Sequence, residues 1–191
     1  AGSGSLIRQL GTSGNDNGEL SFPFGTAMHP VTRFIFVCDT WNSRIQVFNE
    51  EGDYQYQFTT YGPSGERLHP DSVCIDSAAN QLFVTDRVYH WVCVFSTKGE
   101  LLHSFSSRGS AIGQVITPCG IALHPLSGDI IVSDSGNHRL QVFDRSGTPL
   151  RSLGSKGPGL HQFNRPSGIC CHPVTGHVFV ADYSNHRAVM L

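Results

Sequence analysis

Apolar and polar residues alternate with a period of two along most of this chain, and no segment shows the 3.6-residue period of a helix. The third repeat shows the pattern most clearly. The turn residues Gly, Pro, Ser and Asn separate its apolar runs, and connections this short permit only antiparallel hairpins. The pattern predicts a meander of four strands: GIALH (120–124), DIIVSD (129–134), RLQVF (139–143) and LRSLG (150–154).

The same pattern recurs at a nearly constant distance, with spacings of 47, 48 and 48 residues. Two sets of residues carry this spacing: Asp39, Asp86, Asp134 and Asp182, and Pro23, Pro70, Pro118 and Pro166. A single four-stranded sheet cannot bury both of its faces, but sheets stacked face to face around an axis can. The sequence therefore predicts an all-β fold, a β-propeller with about four blades. Its repeat units are about 6–53, 54–100, 101–148 and 149–191, and AGSGS (1–5) is interpreted as a flexible linker or cloning scar.

The two ends of the repeat array leave its closure open. LIRQLG (6–11) has the pattern of a fourth strand, whereas the last unit stops after a third strand at Leu191. Residues 6–11 would complete the last blade in a closed four-bladed ring. An arc of a larger ring, or an arc completed by another chain, is equally compatible with the pattern. An open arc would expose a blade face and an unpaired strand edge, which would allow self-association.

Composition and charge further limit the classes of function that the sequence supports. The 191 residues carry a formal net charge of −2, so no bulk basic field marks a nucleic-acid binder. No apolar run approaches the roughly 18 residues of a membrane span, and no membrane partner is expected. The six cysteines contain no C-x-x-C pair, and most lie in strand-like runs. We therefore expect buried, reduced thiols and a cytoplasmic location.

Two similar segments, VSDSGNHRLQVF (132–143) and VADYSNHRAVML (180–191), pose the question of whether D-x-x-N-H-R is a chemical site or a structural clasp. A catalytic set is needed once per protein, but this one recurs in nearly every unit, which favours the clasp. The Asn suits the tight turn because it tolerates the left-handed conformation and can bond nearby backbone, and the Arg is expected to hold a carboxylate or loop carbonyls. The predicted clasp residues are Asp39, Asn42, Arg44, Asp86, Asp134, Asn137, Arg139, Asp182, Asn185 and Arg187.

These segments, in the blocks ITPCGIALHPLSGDIIVSDSGNHRLQVF and FNRPSGICCHPVTGHVFVADYSNHRAVML, resemble NHL repeats, which are named for their Asn-His-Leu/Arg triplet. The resemblance covers residues 6–191. Unit two departs from it, with Tyr89 in place of Asn, Trp91 in place of Arg and Ser72 in place of Gly. NHL propellers are usually six-bladed. In tripartite-motif proteins they follow a RING and a coiled coil, and some bind RNA while others bind proteins.

The resemblance implies a non-enzymatic scaffold or interaction module, and any ubiquitin-ligase activity would belong to segments not present in these residues. In the predicted meander, the loops from strand four to strand one and from strand two to strand three share one end of the propeller, here called the first rim. A protein partner is favoured because the net charge is slightly negative, and single-stranded RNA on the same rim is the alternative. The candidate partner-binding residues are Trp41, Arg67, Tyr89, His90, Trp91, Arg108, Lys156, Arg165 and Tyr183, since Trp, Tyr and Arg are frequent interface anchors.

Three repeated histidines allow a second alternative. His29, His124 and His172 each precede Pro in the turn after the first strand. An inward ring of them could bind a metal in the channel, as in the propeller of peptide-amidating lyase, which the sequence resembles distantly. However, a residue before Pro is held in extended geometry, and this turn lies at one rim. We therefore expect no metal, no cofactor and no catalytic residues, and keep a metal-dependent lyase as the second alternative.

Overall fold

The computed structural model describes residues 8–191, which form antiparallel meanders arranged around a common axis as blades of a propeller. Blade 1 contains β3 (Pro23–Met28), β4 (Ile35–Asp39), β5 (Arg44–Phe48) and β6 (Tyr54–Thr59). Blade 2 contains β7 (Pro70–Asp76), β8 (Gln81–Asp86), β9 (Trp91–Ser96) and β10 (Leu101–Phe105). Blade 3 contains β11 (Pro118–Leu123), β12 (Ile130–Asp134), β13 (Arg139–Phe143) and β14 (Pro149–Leu153). Blade 4 contains β15 (Pro166–Cys171), β16 (Val178–Asp182) and β17 (Arg187–Met190).

The predicted propeller of four-stranded blades is confirmed, and the four strands expected in residues 120–154 are β11 to β14 with their ends shifted by at most two residues. The sheets of blades 1 to 3 each cross a boundary between two sequence units, because the fourth strand of each blade begins the next unit. Before blade 1, β1 (Thr12–Ser13) pairs in parallel with β2 (Glu19–Leu20). No helix in residues 8–191 is long and apolar enough to cross a bilayer.

The core lies between consecutive blades, because each strand alternates its side chains between two faces. We call the face toward the next blade the forward face and the opposite one the rear face. Three buried clusters fill the three junctions. At the first junction, the forward face of blade 1 contributes Phe36, Cys38, Ile45 and Val47, and the rear face of blade 2 contributes Val73, Leu82, Val84, Cys93 and Phe95.

Glycine allows the inner strands of neighbouring blades to approach closely. A Cβ atom on Gly25 would lie 2.5 Å from the Cα of Ser72, and one on Gly120 would lie 2.3 Å from the carbonyl oxygen of Ser167. Both glycines stand on the forward face of an inner strand. Their equivalent in blade 4, Gly168, has no atom within 4 Å of such a Cβ.

Within residues 8–191, the four blades form an arc rather than a closed ring. The inner strands pack in the order β3, β7, β11 and β15. On the forward face of blade 4, Phe179 is 37% exposed and Met190 is 62% exposed, although the equivalent positions of blades 1 to 3 are buried. Of the segment expected to complete the last blade, residues 6–7 lie outside the described residues, and residues 8–11 belong to no strand. Residues 8–11 lie instead against blade 1, where Arg8 pairs with Asp53 at 2.6 Å.

The six cysteines are all unpaired in the structure. Cys38 and Cys93 are buried as expected, and burial raises the pKa of the Cys93 thiol to about 12, which keeps it protonated and unreactive. The expectation of burial is wrong for Cys170, which is exposed. It lies on the forward face of blade 4, which no described residue covers.

Candidate partner-binding rim

Each turn between the second and third strands is built around a buried carboxylate. In blade 3, both oxygens of Asp134 are fully buried with the side chain. The carboxylate accepts hydrogen bonds from Arg139 Nε at 2.8 Å, Asn137 Nδ2 at 2.9 Å and Gln141 Nε2 at 3.1 Å. It also accepts the backbone N–H of Ile116 at 2.8 Å. The desolvation cost of the charge is offset by this complete set of donors.

The guanidinium of Arg139 also ties this turn to the loop that enters the blade. Its Nη2 donates to the carbonyl oxygens of Ala111 at 2.8 Å and Gln114 at 2.9 Å. Asn137 donates to the carbonyl of Gly109 at 2.9 Å. The planar fork of an arginine can serve a carboxylate and two carbonyls at once, which a lysine cannot.

The expected conformation of the Asn is wrong. The turn is a 3-10 helix over Ser135–Asn137, and the left-handed residue is His138 with φ of 57°. Ser43 and His186 take the same conformation, with φ of 55° and 53°. Asn137 instead stays inside the turn, where its amide group reaches both the carboxylate and the incoming loop.

The same set of contacts recurs in blades 1 and 4. Arg44 Nε lies 2.6 Å from Asp39, and Arg187 Nε lies 2.8 Å from Asp182. The side chains of Arg44, Arg139 and Arg187 are 9%, 14% and 30% exposed. These three arginines are therefore occupied by internal contacts.

Sequence reasoning missed the glutamine that completes the set. Gln46 and Gln141 each donate to the buried carboxylate at 3.1 Å and also contact the carbonyl of an incoming-loop residue. The signal was available, because the two glutamines occupy the same position two units apart. Blade 4 has Val189 at this position, so its set is smaller.

Blade 2 keeps the aspartate but replaces its partners. Asp86 accepts backbone N–H groups from His69 at 2.6 Å, Val88 at 2.7 Å and Tyr89 at 2.6 Å. Trp91 packs against the incoming loop, where a Cβ on Gly62 would lie 2.6 Å from its ring. The indole thus fills the space of the arginine, and its ring is partly buried rather than displayed.

Two of the histidines after these turns connect neighbouring blades. His90 Nδ1 accepts the backbone N–H of Thr117 at 2.9 Å, and His138 Nδ1 accepts that of Arg165 at 3.2 Å. Burial lowers the pKa of both imidazoles, and a nearby cation lowers it further: Arg108 beside His90, and Lys156 beside His138. The neutral form is required because the ring nitrogen acts as an acceptor.

The remaining candidates lie on the exposed part of the first rim. Trp41 is exposed and stacks on Phe22, with ring centroids 4.1 Å apart, and Tyr183 is exposed. Four cations of this rim are exposed and make no ion pair within residues 8–191: Arg67, Arg108, Lys156 and Arg165.

A cavity of about 550 Å³ opens where the first rim meets the inner strands. Arg87 forms one wall, with Nε 3.0 Å from Asp71 and its guanidinium 5.2 Å from the ring centroid of Phe24. Burial raises the pKa of Asp71 to about 6, although Arg87 opposes this shift. Of the candidate partner-binding residues, only Arg165 and Tyr183 line the cavity. Its lining is Phe24, Arg87, Thr117, Cys119, Ser135, Arg165, Ser167 and Tyr183.

The three repeated histidines on the opposite rim do not converge on the channel. In each, Nδ1 accepts a backbone N–H of its own turn, as His29 does from Val31 and Thr32 at 3.2 Å. His124 Nε2 lies 3.0 Å from the carbonyl of Gly176 in the next blade. Within residues 8–191, no three His, Cys, Asp or Glu side chains are grouped closely enough to hold a metal ion.

The repeated turn lies in the segments that match a known repeat family. The NHL repeat profile matches residues 117–143 and 163–187, which contain the carboxylate and arginine of blades 3 and 4. Blades 3 and 4 of this β-propeller therefore contain NHL repeats. A similar curated protein is "Protein brain tumor" of Drosophila melanogaster, which is 29% identical over 101 residues. The match covers 52% of the NHL-repeat chain and 10% of that protein.

Solved propellers share the fold at low identity. A streptogramin B lyase structure matches with a TM-score of 0.67 and 15% identity, over 96% of this chain and 54% of that one. A chain of a nidogen/laminin complex matches with a TM-score of 0.68 and 19% identity, over 88% of this chain and 60% of that one. The NHL-repeat chain therefore spans little more than half the length of these structures. At this identity the likeness shows the fold alone.

Proposed function

We propose that this NHL-repeat propeller is a non-enzymatic interaction module that binds a protein partner through the first rim. The observation that carries the proposal is the cavity beside Arg87 and Arg165, which has exposed aromatic rings next to it. A rigid blade scaffold holds these groups in place, so that a partner would bind without a large ordering cost. Trp41 and Tyr183 would supply apolar contact area, and Arg165 would pair with a carboxylate of the partner.

The residues that would contact the partner are those that differ between blades. The three clasp arginines are already occupied, so they are not assigned to the partner. Trp91 is partly buried, so its share of the contact area is small and Tyr89 would present the accessible ring. The module would act in the cytoplasm, where six unpaired cysteines stay reduced.

Site-specific photo-cross-linking tests this proposal. A photoreactive residue replaces Tyr183 on the first rim, and a matched control replaces Val31, which is exposed in the turn between β3 and β4 at the opposite rim. We expect a discrete protein adduct from position 183 that disappears with Arg165→Glu and is absent from position 31. Equal labelling from both positions would contradict binding through the first rim.

Single-stranded RNA is the second candidate, favoured by one observation. Arg67, Arg108, Lys156 and Arg165 are exposed without an ion pair in the described residues, so they are available to phosphates. If RNA binds there, log Kd should change with log salt by about 0.7 per phosphate neutralised. Filter binding of a random single-stranded RNA at low and moderate salt measures this slope. Tight, salt-sensitive binding that is lost in the Arg67→Glu/Arg165→Glu variant would replace the protein partner with RNA.

A further inference from the structure

Two residues that line the cavity on the first rim are held by a side chain of the preceding blade. Thr117 lies directly before β11, and Arg165 lies directly before β15. The backbone N–H of Thr117 donates to His90 Nδ1 at 2.9 Å, and that of Arg165 donates to His138 Nδ1 at 3.2 Å. The same contact therefore crosses two successive junctions, from blade 2 to blade 3 and from blade 3 to blade 4.

The backbone of both residues depends on such contacts. Thr117 has φ of 45° and Arg165 has φ of 55°, in the left-handed region that residues with a Cβ rarely adopt. For a β-branched residue such as Thr117 this conformation is unfavourable by itself, so it persists only where neighbouring groups hold it. The imidazole supplies one of these contacts, because it accepts the N–H of the strained residue.

The residue just before each strained position is anchored within its own blade. The N–H of Ile116 donates to Asp134 at 2.8 Å, and that of Asn164 donates to Asp182 at 2.7 Å. The buried carboxylate thus fixes the loop up to this point, and the imidazole of the preceding blade fixes the next residue. The imidazole therefore positions the part of the loop that faces the cavity.

An imidazole can hold an N–H group only while the accepting nitrogen has a free lone pair. Protonation places a hydrogen on Nδ1, so that two donors face each other and the hydrogen bond is lost. The strained backbone then loses one of its supports. An asparagine differs in this respect, because its Oδ1 is as many bonds from the backbone as Nδ1 and accepts a hydrogen bond at any pH.

Charged groups around both rings influence their protonation. Burial lowers the pKa of His90 and His138, and the nearby cations lower it further. The nearby carboxylates raise the pKa of each ring, and a hydrogen bond to the Asn164 side chain does so at His138, but the net shift is downward. Both rings are therefore neutral at neutral pH and become protonated in acid solution. The groups that face the rings are Arg108, Asp86 and Asp134 at His90, and Lys156, Arg165, Asn164 and Asp134 at His138.

We infer that His90 and His138 are positioning residues for the cavity on the first rim, which hold Thr117 and Arg165 while the rings are neutral and release them on protonation. We call each ring with the N–H that it holds a latch. The latches are a property of the free chain, whereas their effect on binding rests on the proposed function. Under that function, binding is weakened in acid solution, because release of Arg165 displaces the guanidinium that would pair with a carboxylate of the partner.

An NMR titration of the free chain from pH 7.5 to pH 4.5 tests the latches. We expect the amide proton of Thr117 to move upfield with the same midpoint as the ring protons of His90, and that of Arg165 to follow His138, because each loses a hydrogen bond. His90→Asn and His138→Asn should each abolish the shift at its own junction and leave the other. The matched control His172→Asn should keep both shifts, since Nδ1 of His172 accepts N–H groups of its own turn on the opposite rim.

The alanine variants provide a second measurement, because they remove the acceptor without adding a charge. In His90→Ala and His138→Ala, the amide proton at the same junction should lie at the upfield position already at pH 7.5. Amide protons that do not move in the wild type, or that follow a midpoint other than that of their own ring, would overturn the inference. A shift that persists in the asparagine variants would overturn it as well.

Photo-cross-linking at pH 7.5 and pH 5 tests the effect on binding. With the photoreactive residue at position 183, we expect the protein adduct to weaken at pH 5 in the wild type. The adduct should be retained in the double variant His90→Asn/His138→Asn. An equal loss in both proteins would contradict regulation by the latches and assign the pH dependence to another group, such as Asp71. If no adduct forms at either pH, the proposed function fails, whereas the NMR titration still decides whether the latches exist.

Discussion

Replacing the repeated arginine of blades 1, 3 and 4 with alanine should destabilise the propeller by amounts that follow the burial of each arginine. The variants are Arg44→Ala, Arg139→Ala and Arg187→Ala, at side chains that are 9%, 14% and 30% exposed. Each substitution removes the ion pair to a fully buried aspartate and the bonds to loop carbonyls. The three arginines differ in their access to water and in the number of loop carbonyls that they contact, which is three for Arg44 and Arg187 and two for Arg139.

The magnitudes follow from the groups left without partners. In blade 3, Arg139→Ala leaves two carbonyls and one carboxylate oxygen short of a donor. Hydrogen bonds to charged groups contribute roughly 1.5–3 kcal/mol each, and breaking a buried ion pair costs about 3–5 kcal/mol. The aspartate retains Asn137, Gln141 and a backbone N–H, so we expect a loss of about 3 kcal/mol. We expect about 4 kcal/mol for Arg44→Ala, and about 1–2 kcal/mol for Arg187→Ala, because water can reach the vacated site.

Urea unfolding with linear extrapolation measures these differences, and an unchanged slope shows that the native state is retained. Lysine at position 139 is the matched control, since it keeps the charge but cannot serve the carboxylate and two carbonyls together. It should recover part of the loss. If the three alanine variants lose equal stability, or lose none, the argument from burial is wrong. An Arg139→Ala variant with normal stability but no partner binding would assign the turn to function instead.

Four further substitutions test the electrostatics and packing. Asp71 has a raised pKa of about 6, so the folded state binds the proton more tightly than the unfolded state, and stability should fall as pH rises from 4 to 7. The free energy of unfolding of the wild type should differ by up to about 3 kcal/mol between pH 4 and pH 7, as measured by urea unfolding, and Asp71→Asn should remove this difference. If the variant and the wild type show the same dependence on pH, the argument is wrong. The pKa of His138 is lowered in the folded state, so its contribution to folding stability is present at neutral pH and is lost as the pH falls below the pKa of the unfolded state. His138→Asn should therefore reduce the drop in melting temperature between pH 7 and pH 5. Gly120→Ala should cost about 1–3 kcal/mol by overpacking, whereas Gly168→Ala should leave the melting temperature of the monomer unchanged.

The fold could be read from the sequence because its determinants are local and repeated. Period-two alternation places RLQVF in a strand, and β13 covers the same five residues, Arg139–Phe143. The spacing of Pro118 and Asp134 fixes where the first strand begins and the second ends, since these residues pair in the register. Closure of the arc could not be derived in this way, because it depends on where residues 8–11 lie relative to blades far away in sequence.

The site was less accessible to sequence reasoning, because side-chain contacts between loops leave a weak pattern. Asn137 was assigned to the left-handed position on its general preference, but the turn places His138 there and uses the Asn amide as a donor. Arg87 was not among the candidate residues, yet it forms one wall of the cavity and reaches Asp71 on an inner strand. Asp71 replaces the Phe, Cys or Ser of other blades, and a substitution specific to one unit is the signal that could have drawn attention to it.

Repetition distinguishes the residues that make structural contacts within the fold from those that remain available to a partner. A residue that recurs in several blades, such as Arg139, meets the same buried carboxylate and loop wherever it occurs, so its hydrogen bonds are made within the fold. Blade 2 supports this view, because Trp91 replaces the arginine and Asp86 then takes its hydrogen bonds from the backbone. A position that accepts either a cation or an indole without loss of the turn is under packing constraint, not under the constraint of a ligand. Under the proposed function, residues without counterparts in other blades, such as Trp41 and Arg165, are the ones that would determine which partner the first rim binds.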